Sequence, residues 1–260
     1  ATSRRSTKKR PATGDRSVME KNVFDAVARD YERIHNRSLP PGVHSADFIR
    51  YRAACAARWV SDRYAGKEFC YLDFGCGNGR MLKSMLESAR VTPLMEEGRL
   101  RLFGFDTSAE SINEARGLMG DDRVCLVSDL SQVPGDVRFD FVISCHVFHH
   151  IPPAERAVTA ATLADRMKPA SRLVIWEHNP FNPVTRLLVK MCPFDGDARL
   201  LTLNSTKALF GQNAFRFVQR AYVNLFPPGW LRLEGLSAIE KRLQGVPVGA
   251  QYWAMFERHD

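Results

Sequence analysis

Short apolar runs alternate with segments of helical spacing along the middle of the chain. The first run, residues 69–74, is followed by three alternate glycines and then by the helical spacing of residues 81–86. A buried strand, a glycine turn and a helix are the first unit of a nucleotide-binding α/β sheet. The pattern therefore predicts an α/β fold. The predicted strands are residues 69–74, 100–105, 124–127, 139–144, 172–177, 215–226 and 249–256.

Helical spacing precedes the first strand and separates most of the others. We expect Ser108 to provide the N-cap of the helix after the second strand, and Asn204 with Ser205 to cap the short helix before the sixth. The predicted helices are residues 46–64, residues 80–89, a helix that starts at 107–110, residues 153–167, a short helix that ends near 212, and residues 230–243.

One connection, residues 178–204, is longer than is usual in a compact α/β domain. It follows the fifth strand, and open α/β sheets bind their ligands at the carboxyl ends of their strands. We predict that this connection is an insertion that covers the substrate. A helix that only packs on the core is the alternative.

The formal net charge of the 260-residue chain is +8, and residues 1–16 carry much of it. Six lysines and arginines lie in this segment against one acid, Asp15, so the segment contributes +5. Its Ser, Thr, Lys, Arg and Pro content cannot bury a core, which predicts a basic disordered tail over residues 1–17. Such a tail can make weak contact with nucleic acid or an anionic membrane, or have no partner.

The composition is that of an ordinary globular protein, with 45% hydrophobic and 25% charged residues. No apolar run approaches the roughly 18 residues of a membrane-spanning helix, and the basic N-terminal segment lacks the apolar part of a secretory signal. The six cysteines show no spacing typical of a metal site. We therefore expect a cytoplasmic protein without disulfides or zinc.

The glycine turn has alternative ligands. A dinucleotide site needs G-x-G-x-x-G or G-x-G-x-x-A, in which the third small residue lets the helix pack closely on the strand. Arg80 occupies that position here, and the glycines instead follow G-x-G-x-G from Gly75 to Gly79. With Asp73 before the glycines, this stretch resembles motif I of the class I S-adenosylmethionine-dependent methyltransferases. A glycine turn without any ligand is the remaining alternative.

Two further acids continue the resemblance in order along the chain. Asp106 ends the second strand, where a carboxylate can accept hydrogen bonds from both ribose hydroxyls or can simply cap a helix. Asp129 follows the third strand and, with Leu130, matches the adenine site of these enzymes. Arg50 and Arg52 can pair with the cofactor's carboxylate or can be surface charges. The resemblance implies that S-adenosylmethionine is bound by Asp73, Gly75, Cys76, Gly77, Asp106, Thr107, Asp129, Leu130 and Cys145.

The resemblance covers residues 23–177 and, weakly, the last two strands. It implies a single Rossmann-like core, residues 67–260, with a seven-stranded, mostly parallel sheet and helices on both faces. The last strand is expected to return antiparallel between the fifth and the sixth. Residues 18–66 are predicted to form a helical lid, because Phe24 to Tyr31 resembles an element that folds over the cofactor in many small-molecule methyltransferases.

Methyl transfer is an in-line displacement, so a base is needed only for an acceptor that must lose a proton. His150, before Ile-Pro, matches a histidine of related enzymes and is the first candidate. His146 is the second, and it shares a face with His150 if the segment after the fourth strand is helical. His149 and His178 are reserves, and a structural role is the alternative. Tyr31 and His178 are the candidates for substrate binding, although Tyr31 can instead pack in the core.

These observations favour an enzyme that moves a methyl group to an oxygen, nitrogen or carbon nucleophile of a small molecule. An RNA or protein methyltransferase that uses the basic tail is one alternative, although the chain lacks an N-P-P-Y-type motif and a separate RNA-binding module. A non-catalytic, S-adenosylmethionine-binding partner subunit is another alternative. An NAD-dependent dehydrogenase is the least favoured.

Overall fold

The structure is a computed structural model that describes residues 36, 39–120, 123–193, 195–196, 198–233 and 235–260. The predicted basic tail, residues 1–17, lies outside the described residues, as do Tyr31 and most of residues 18–38. Within the described part, none of the helices is both long enough and apolar enough to cross a membrane.

Seven strands form one sheet. They are β1 (Phe69–Phe74), β2 (Leu100–Phe105), β3 (Val124–Val127), β4 (Phe139–Cys145), β5 (Met167–His178), β6 (Phe215–Val223) and β7 (Gln251–Arg258). Their order across the sheet is β3-β2-β1-β4-β5-β7-β6. β7 runs antiparallel between β5 and β6, and the other pairs are parallel, which confirms the predicted Rossmann-like topology.

The described helices pack on both faces of the sheet, as predicted. They are α1 (Ser45–Arg63), α2 (Arg80–Leu86), α3 (Thr92–Glu96), α4 (Ala109–Met119), α5 (Arg156–Asp165), α6 (Pro183–Met191), α7 (Leu203–Gly211) and α8 (Leu236–Leu243). Val60 of α1, Leu82 of α2 and Ile112 of α4 lie in the core of one face. Leu163 of α5 and Phe210 of α7 lie in the core of the other.

The strands could be predicted because parallel strands covered on both faces are almost continuously apolar. Five of the six residues of β1 are buried. Phe74 pairs with Phe105, Phe105 pairs with Val127, and Cys145 pairs with Trp176. The carboxyl ends of β1 to β5 therefore lie along one edge of the sheet, which is the edge that carries the predicted cofactor residues.

Some predicted boundaries differ from the structure. β5 begins at Met167, five residues before the predicted start, because Met167 pairs with Phe139 across a register shift. α5 begins only at Arg156, since residues 152–155 form a turn. α7 is capped by Thr202 and not by Asn204 and Ser205, because the Thr202 hydroxyl accepts the hydrogen bond from the Ser205 N–H.

The segment predicted as one helix at 230–243 is divided. Residues Pro228–Arg232 form a 3-10 turn, and α8 follows after Gly235, whose φ of +87° interrupts helical geometry. The long connection at 178–204 contains α6, whose N-cap is Asn182. Four residues separate the end of β5 from the start of this helix, so the connection is partly helical.

Candidate active site

The glycine loop and Asp106 are joined directly by hydrogen bonds at the carboxyl edge of the sheet. The backbone N–H groups of Gly75 and Cys76 donate to the Phe105 carbonyl at 2.7 and 2.9 Å, which ties the loop to the end of β2. The Asp106 carboxylate accepts from the Gly77 N–H at 2.8 Å and from the Ser108 N–H at 2.9 Å. The structure thus brings together the loop and the acid that the sequence predicted for the ribose.

The three positions of the loop require glycine for different structural reasons. Gly75 has a φ of +81°, and a Cβ there would lie 2.2 Å from Cγ2 of Val147. Gly79 has a φ of +77°, and its Cβ would lie 2.9 Å from the Cβ of Ala115 on α4. Gly77 also has a positive φ, but a Cβ there would meet open space. The outer glycines are therefore required by packing, whereas the middle one leaves room for a ligand to approach the backbone.

Asp73 is buried at the end of β1, with 2% of its surface exposed. Burial raises the pKa of its carboxyl to about 7, although the Arg52 guanidinium opposes this shift. The Nε of Arg52 is buried and has no hydrogen-bond partner among the described residues. A buried acid beside an incompletely bonded guanidinium fits the ammonium and carboxylate of an amino acid. Arg50 instead forms a surface pair with Asp47 at 2.6 Å.

The predicted adenine and thiol residues lie on the same edge. Asp129 is exposed and caps a 3-10 turn, Leu130–Gln132, by accepting from the Ser131 N–H at 2.8 Å. Thr107 is exposed beside Asp106. Burial raises the pKa of the thiols of Cys76 and Cys145 well above the ordinary value. These two cysteines are therefore protonated, and any cofactor contact from them would be made by neutral groups.

The segment after β4 is a turn and not a helix, which corrects one expectation. His146 has a φ of +58°, in the left-handed region that non-glycine residues seldom adopt. Its N–H donates to the Trp176 carbonyl at 2.8 Å, and the His150 N–H donates to the Val147 carbonyl at 3.0 Å. His146 and His150 therefore do not share a helix face, because the left-handed residue turns the chain where a helix would begin.

A buried histidine–carboxylate pair lies beneath this turn. Nδ1 of His149 is 2.5 Å from Oε2 of Glu177, and each side chain is 1% exposed. The other oxygen of Glu177 accepts from the Phe148 N–H at 2.8 Å. Burial alone would lower the pKa of His149, but the carboxylates of Glu177 and Asp195 outweigh it and raise this pKa to about 9.

Two groups of this pair were missed or ranked low from the sequence. Glu177 was not predicted as a site residue, although it lies at the end of an apolar strand as Asp73 and Asp106 do. His149 was only a reserve for its neighbour His150. The available signal was the position of an acid at the carboxyl end of β5, where ligands of open α/β sheets bind.

Asp195 joins the histidine turn from the 178–204 connection. Its Oδ1 lies 3.4 Å from Nε2 of His150 and 3.7 Å from Nε2 of His149. Burial and the neighbouring His149 lower the pKa of His150 to about 4. The ring of His178 lies 4.2 Å from that of His146 and 5.3 Å from that of His149. The structure thus gathers all four predicted or reserve histidines into one cluster with two carboxylates.

A separate cavity of about 290 Å³ lies at the opposite edge of the sheet. Arg63, Tyr64, Asp140 and Ala170 are among its lining residues. These residues are at the amino ends of the strands, and the Tyr64 hydroxyl donates to the Asp140 carbonyl at 2.5 Å. The cavity is therefore remote from the glycine loop and is not part of the candidate site.

The raised pKa of Asp73 predicts how stability depends on pH in the absence of ligand. The folded carboxyl has a pKa of about 7 against the usual 3.8 of an aspartate, so the folded state holds the proton more tightly than the unfolded chain. Burial of this carboxyl does not lower the free energy of unfolding below pH 3.8, where both states are protonated. It lowers that free energy progressively between pH 3.8 and pH 7, and by the full amount above pH 7. Asp73→Asn is therefore expected to become more stable than the wild type as pH rises, by up to roughly 4 kcal/mol.

Urea unfolding of both proteins between pH 5 and 8 measures this difference. The exposed Asp136, replaced by asparagine, is the matched control, and its difference from the wild type should not vary in the same way. A constant difference between Asp73→Asn and the wild type would show that burial does not perturb Asp73.

Comparison with known proteins identifies the family to which the chain belongs. A family model described as a methyltransferase domain matches residues 18–228, most of the chain. An uncharacterised methyltransferase of a Geobacillus species is 25% identical over 104 residues, which cover 40% of this chain and 44% of that protein. The chain therefore spans less than half the length of this curated relative.

Two solved structures share the fold at low sequence identity. Magnesium protoporphyrin IX methyltransferase of Synechocystis, with bound S-adenosylhomocysteine, is 14% identical with a TM-score of 0.59, over 92% of this chain and 99% of that one. The N-methyltransferase NodS of Bradyrhizobium japonicum, also with S-adenosylhomocysteine, is 13% identical with a TM-score of 0.58, over 93% and 99%. At these identities the comparison establishes a common fold.

Proposed function

Because this chain belongs to the family of S-adenosylmethionine-dependent methyltransferase domains, we propose that it transfers the methyl group of S-adenosylmethionine to an oxygen, nitrogen or carbon atom of a small molecule. Bound S-adenosylmethionine supplies an electrophilic methyl group on a sulfonium. The chain's own residues must therefore bind the cofactor, hold the acceptor in line with that methyl group, and accept a proton where the acceptor loses one.

The carboxyl edge of the sheet supplies groups for each part of the cofactor. The Asp106 carboxylate accepts from two backbone N–H groups at the end of β2, and a carboxylate at this place is the acceptor that ribose hydroxyls require. Asp73 and Arg52 suit the ammonium and the carboxylate of the methionine end. Asp129 and the Leu130 backbone suit the adenine. Gly75, Cys76, Gly77, Thr107 and Cys145 complete the proposed cofactor site.

A buried histidine cluster beside this edge is the observation that favours a small acceptor. His149 is 1% exposed and His150 is 25% exposed at the side chain. The 178–204 connection covers them, since Asp195 lies beside both rings and the Arg199 N–H donates to the His149 carbonyl at 2.8 Å. A compact acceptor can enter such a covered cluster, whereas a folded RNA or protein needs an open face.

His150 and His146 are the proposed catalytic bases, and His178 is the proposed substrate-binding residue. The lowered pKa of His150 keeps its imidazole neutral near pH 7, which a base requires, and Asp195 at 3.4 Å would stabilise the imidazolium that forms. His149 is held by Glu177 and is better suited to positioning its neighbours. Tyr31 stays a candidate for the substrate, outside the described residues.

Labelled S-adenosylmethionine incubated with a cell extract tests the acceptor class directly. We expect a new methyl-labelled low-molecular-weight product, separated from the unreacted cofactor, and far less of this product with the Asp106→Ala variant. Label confined to RNA or to protein would contradict the proposal and favour the alternative that uses the basic tail. No transfer at all, with intact cofactor binding, would favour a non-catalytic subunit.

Replacing His150 by alanine tests the base once an acceptor is known. Loss of a general base typically lowers turnover by about 10²–10⁴-fold, while affinity for S-adenosylhomocysteine should stay unchanged because His150 lies outside the proposed cofactor edge. His259→Ala, at an exposed residue near the C-terminus, is the matched control. Unchanged turnover in His150→Ala would remove this residue as the base and leave His146.

A further inference from the structure

Two imidazole nitrogens lie around one carboxylate oxygen in the histidine cluster. Nε2 of His150 is 3.4 Å and Nε2 of His149 is 3.7 Å from Oδ1 of Asp195. Good N–H···O hydrogen bonds are shorter, at about 2.7–3.2 Å. Ligands around a tetrahedral ion with bonds of about 2.0–2.2 Å are separated by about 3.3–3.6 Å. The 3.4 Å spacing falls within this range and the 3.7 Å spacing lies just above it, and both are longer than a good hydrogen bond, so the spacings fit atoms around an ion better than atoms that share a proton.

His149 is already oriented as a metal ligand. Its Nδ1 is bonded to Glu177, and Glu177 is held by the Phe148 N–H. This bond fixes one proton on Nδ1, as in the carboxylate–histidine pairs that support metal sites, so a metal ion would displace the proton of Nε2. That Nε2 is buried and has no partner at hydrogen-bond distance among the described residues, and Oδ1 of Asp195 lies 3.7 Å from it.

The carboxylates of the cluster also favour the binding of a cation. Two carboxylates, Glu177 and Asp195, face the single ring of His149. In the part of the chain that the structure describes, neither carboxylate forms an ion pair with a lysine or an arginine. A divalent ion that displaces the Nε2 proton of His149 would balance both negative charges in this buried region, where unbalanced charge is costly.

We propose that His149, His150 and Asp195 bind one divalent transition-metal ion, with Glu177 as the outer carboxylate that orients His149. Two imidazoles and one carboxylate suit Zn²⁺ and also Co²⁺, Ni²⁺ or Fe²⁺. Three protein ligands leave one position of a tetrahedral ion open, as in catalytic sites. The cysteine spacing could not reveal such a site, because no cysteine contributes to it.

A second set of atoms, from His146, His149 and Glu177, also lies close enough to hold an ion. It is less suitable, because Nδ1 of His149 and Oε2 of Glu177 are already joined at 2.5 Å. The other oxygen of Glu177 is occupied by the Phe148 N–H. Binding there would break both of these bonds, whereas binding at His149, His150 and Asp195 keeps them.

The ion would attach the 178–204 connection to the turn after β4, since Asp195 belongs to the first and both histidines to the second. If the open position receives the acceptor, a role that rests on the proposed function, His150 is occupied and His146 becomes the base. Metal binding itself requires neither an acceptor nor S-adenosylmethionine, so it can be measured independently of methyl transfer.

The full chain, treated with a chelator and dialysed against Zn²⁺, tests the proposal, with bound zinc measured by mass spectrometry. Titration with Co²⁺ and its visible absorption reports the coordination number. We expect one ion per chain and a four-coordinate Co²⁺ spectrum. Asp195→Asn and His150→Gln should each weaken binding by more than about 100-fold, and Glu177→Gln by about 10–100-fold. His259→Gln, at an exposed histidine, should bind as the wild type does.

Binding of S-adenosylhomocysteine to each variant reports whether that variant is folded. His150→Gln is the variant that should disturb folding least, because the side chain of His150 is partly exposed. Zinc binding that survives Asp195→Asn or His150→Gln would overturn the proposal, as would loss of binding in His146→Gln alone. Failure of the wild type to bind zinc would also overturn it. Failure of the wild type to bind S-adenosylhomocysteine, with zinc binding intact, would count against the proposed function and not against the metal site.

Discussion

Replacing Asp106 by alanine is expected to weaken the binding of S-adenosylhomocysteine by at least about 100-fold. The carboxylate is held at the end of β2 by the N–H groups of Gly77 and Ser108, so its position is set before a ligand arrives. Two hydrogen bonds from ribose hydroxyls to a charged acceptor contribute roughly 1.5–3 kcal/mol each. The loss of both corresponds to at least about two orders of magnitude in the dissociation constant.

Isothermal titration with S-adenosylhomocysteine measures this effect, and two other variants define its cause. Asp106→Asn keeps one oxygen that can accept a hydrogen bond and should lose less affinity. Glu110→Ala removes an exposed acid of the same helix start and should bind as the wild type does. Equal affinities of Asp106→Ala and wild type would show that this carboxylate does not hold the ribose.

Replacing Glu177 by alanine is expected to lower the free energy of unfolding by roughly 3–5 kcal/mol, as removal of one partner of a buried ion pair typically does. The change leaves the buried Nδ1 of His149 and the N–H of Phe148 without their acceptor. Neither group can reach water easily, because His149 is 1% exposed and Phe148 is fully buried. The full desolvation of both groups is then uncompensated.

Urea unfolding followed by circular dichroism measures the loss. Glu97→Ala is the matched control, since Glu97 pairs with Arg99 at 2.5 Å but its side chain is 53% exposed. Exposed pairs contribute little, so this control should unfold close to the wild-type midpoint. Glu177→Gln keeps an acceptor for the Phe148 N–H and should fall between the two. A Glu177→Ala protein as stable as the control would mean that the pair does not support the turn.

Most of the fold, and the edge on which the proposed cofactor residues lie, could be predicted from the sequence for one physical reason. Parallel strands covered on both faces appear as apolar runs, and their carboxyl ends lie along one edge. Asp73, Asp106 and Asp129, each at or just after the end of such a run, were therefore placed on that edge before any contact was known. All three glycines of the predicted turn have a positive φ, a conformation that glycine adopts without strain.

The boundaries of strands and helices that were predicted wrongly are those set by strand pairing and by helix capping. Met167 extends β5 because it pairs with Phe139 of β4, and the local apolar pattern that predicted a strand from residue 172 does not detect this partner. Thr202 caps α7 through one side-chain hydrogen bond, which periodicity does not register. These errors moved element ends by a few residues and left the topology unchanged.

By itself, the sequence determined the α/β fold, the common edge of the proposed cofactor residues and the presence of histidines at the end of β4, since these follow from local apolar patterns and motif spacing. Only the tertiary structure decided which histidine is held. His149 meets Glu177 across 28 positions, and Asp195 reaches both histidines from a connection without periodicity. Contacts between such distant residues depend on how β5 and the 178–204 connection pack, and local patterns carry no signal for that packing.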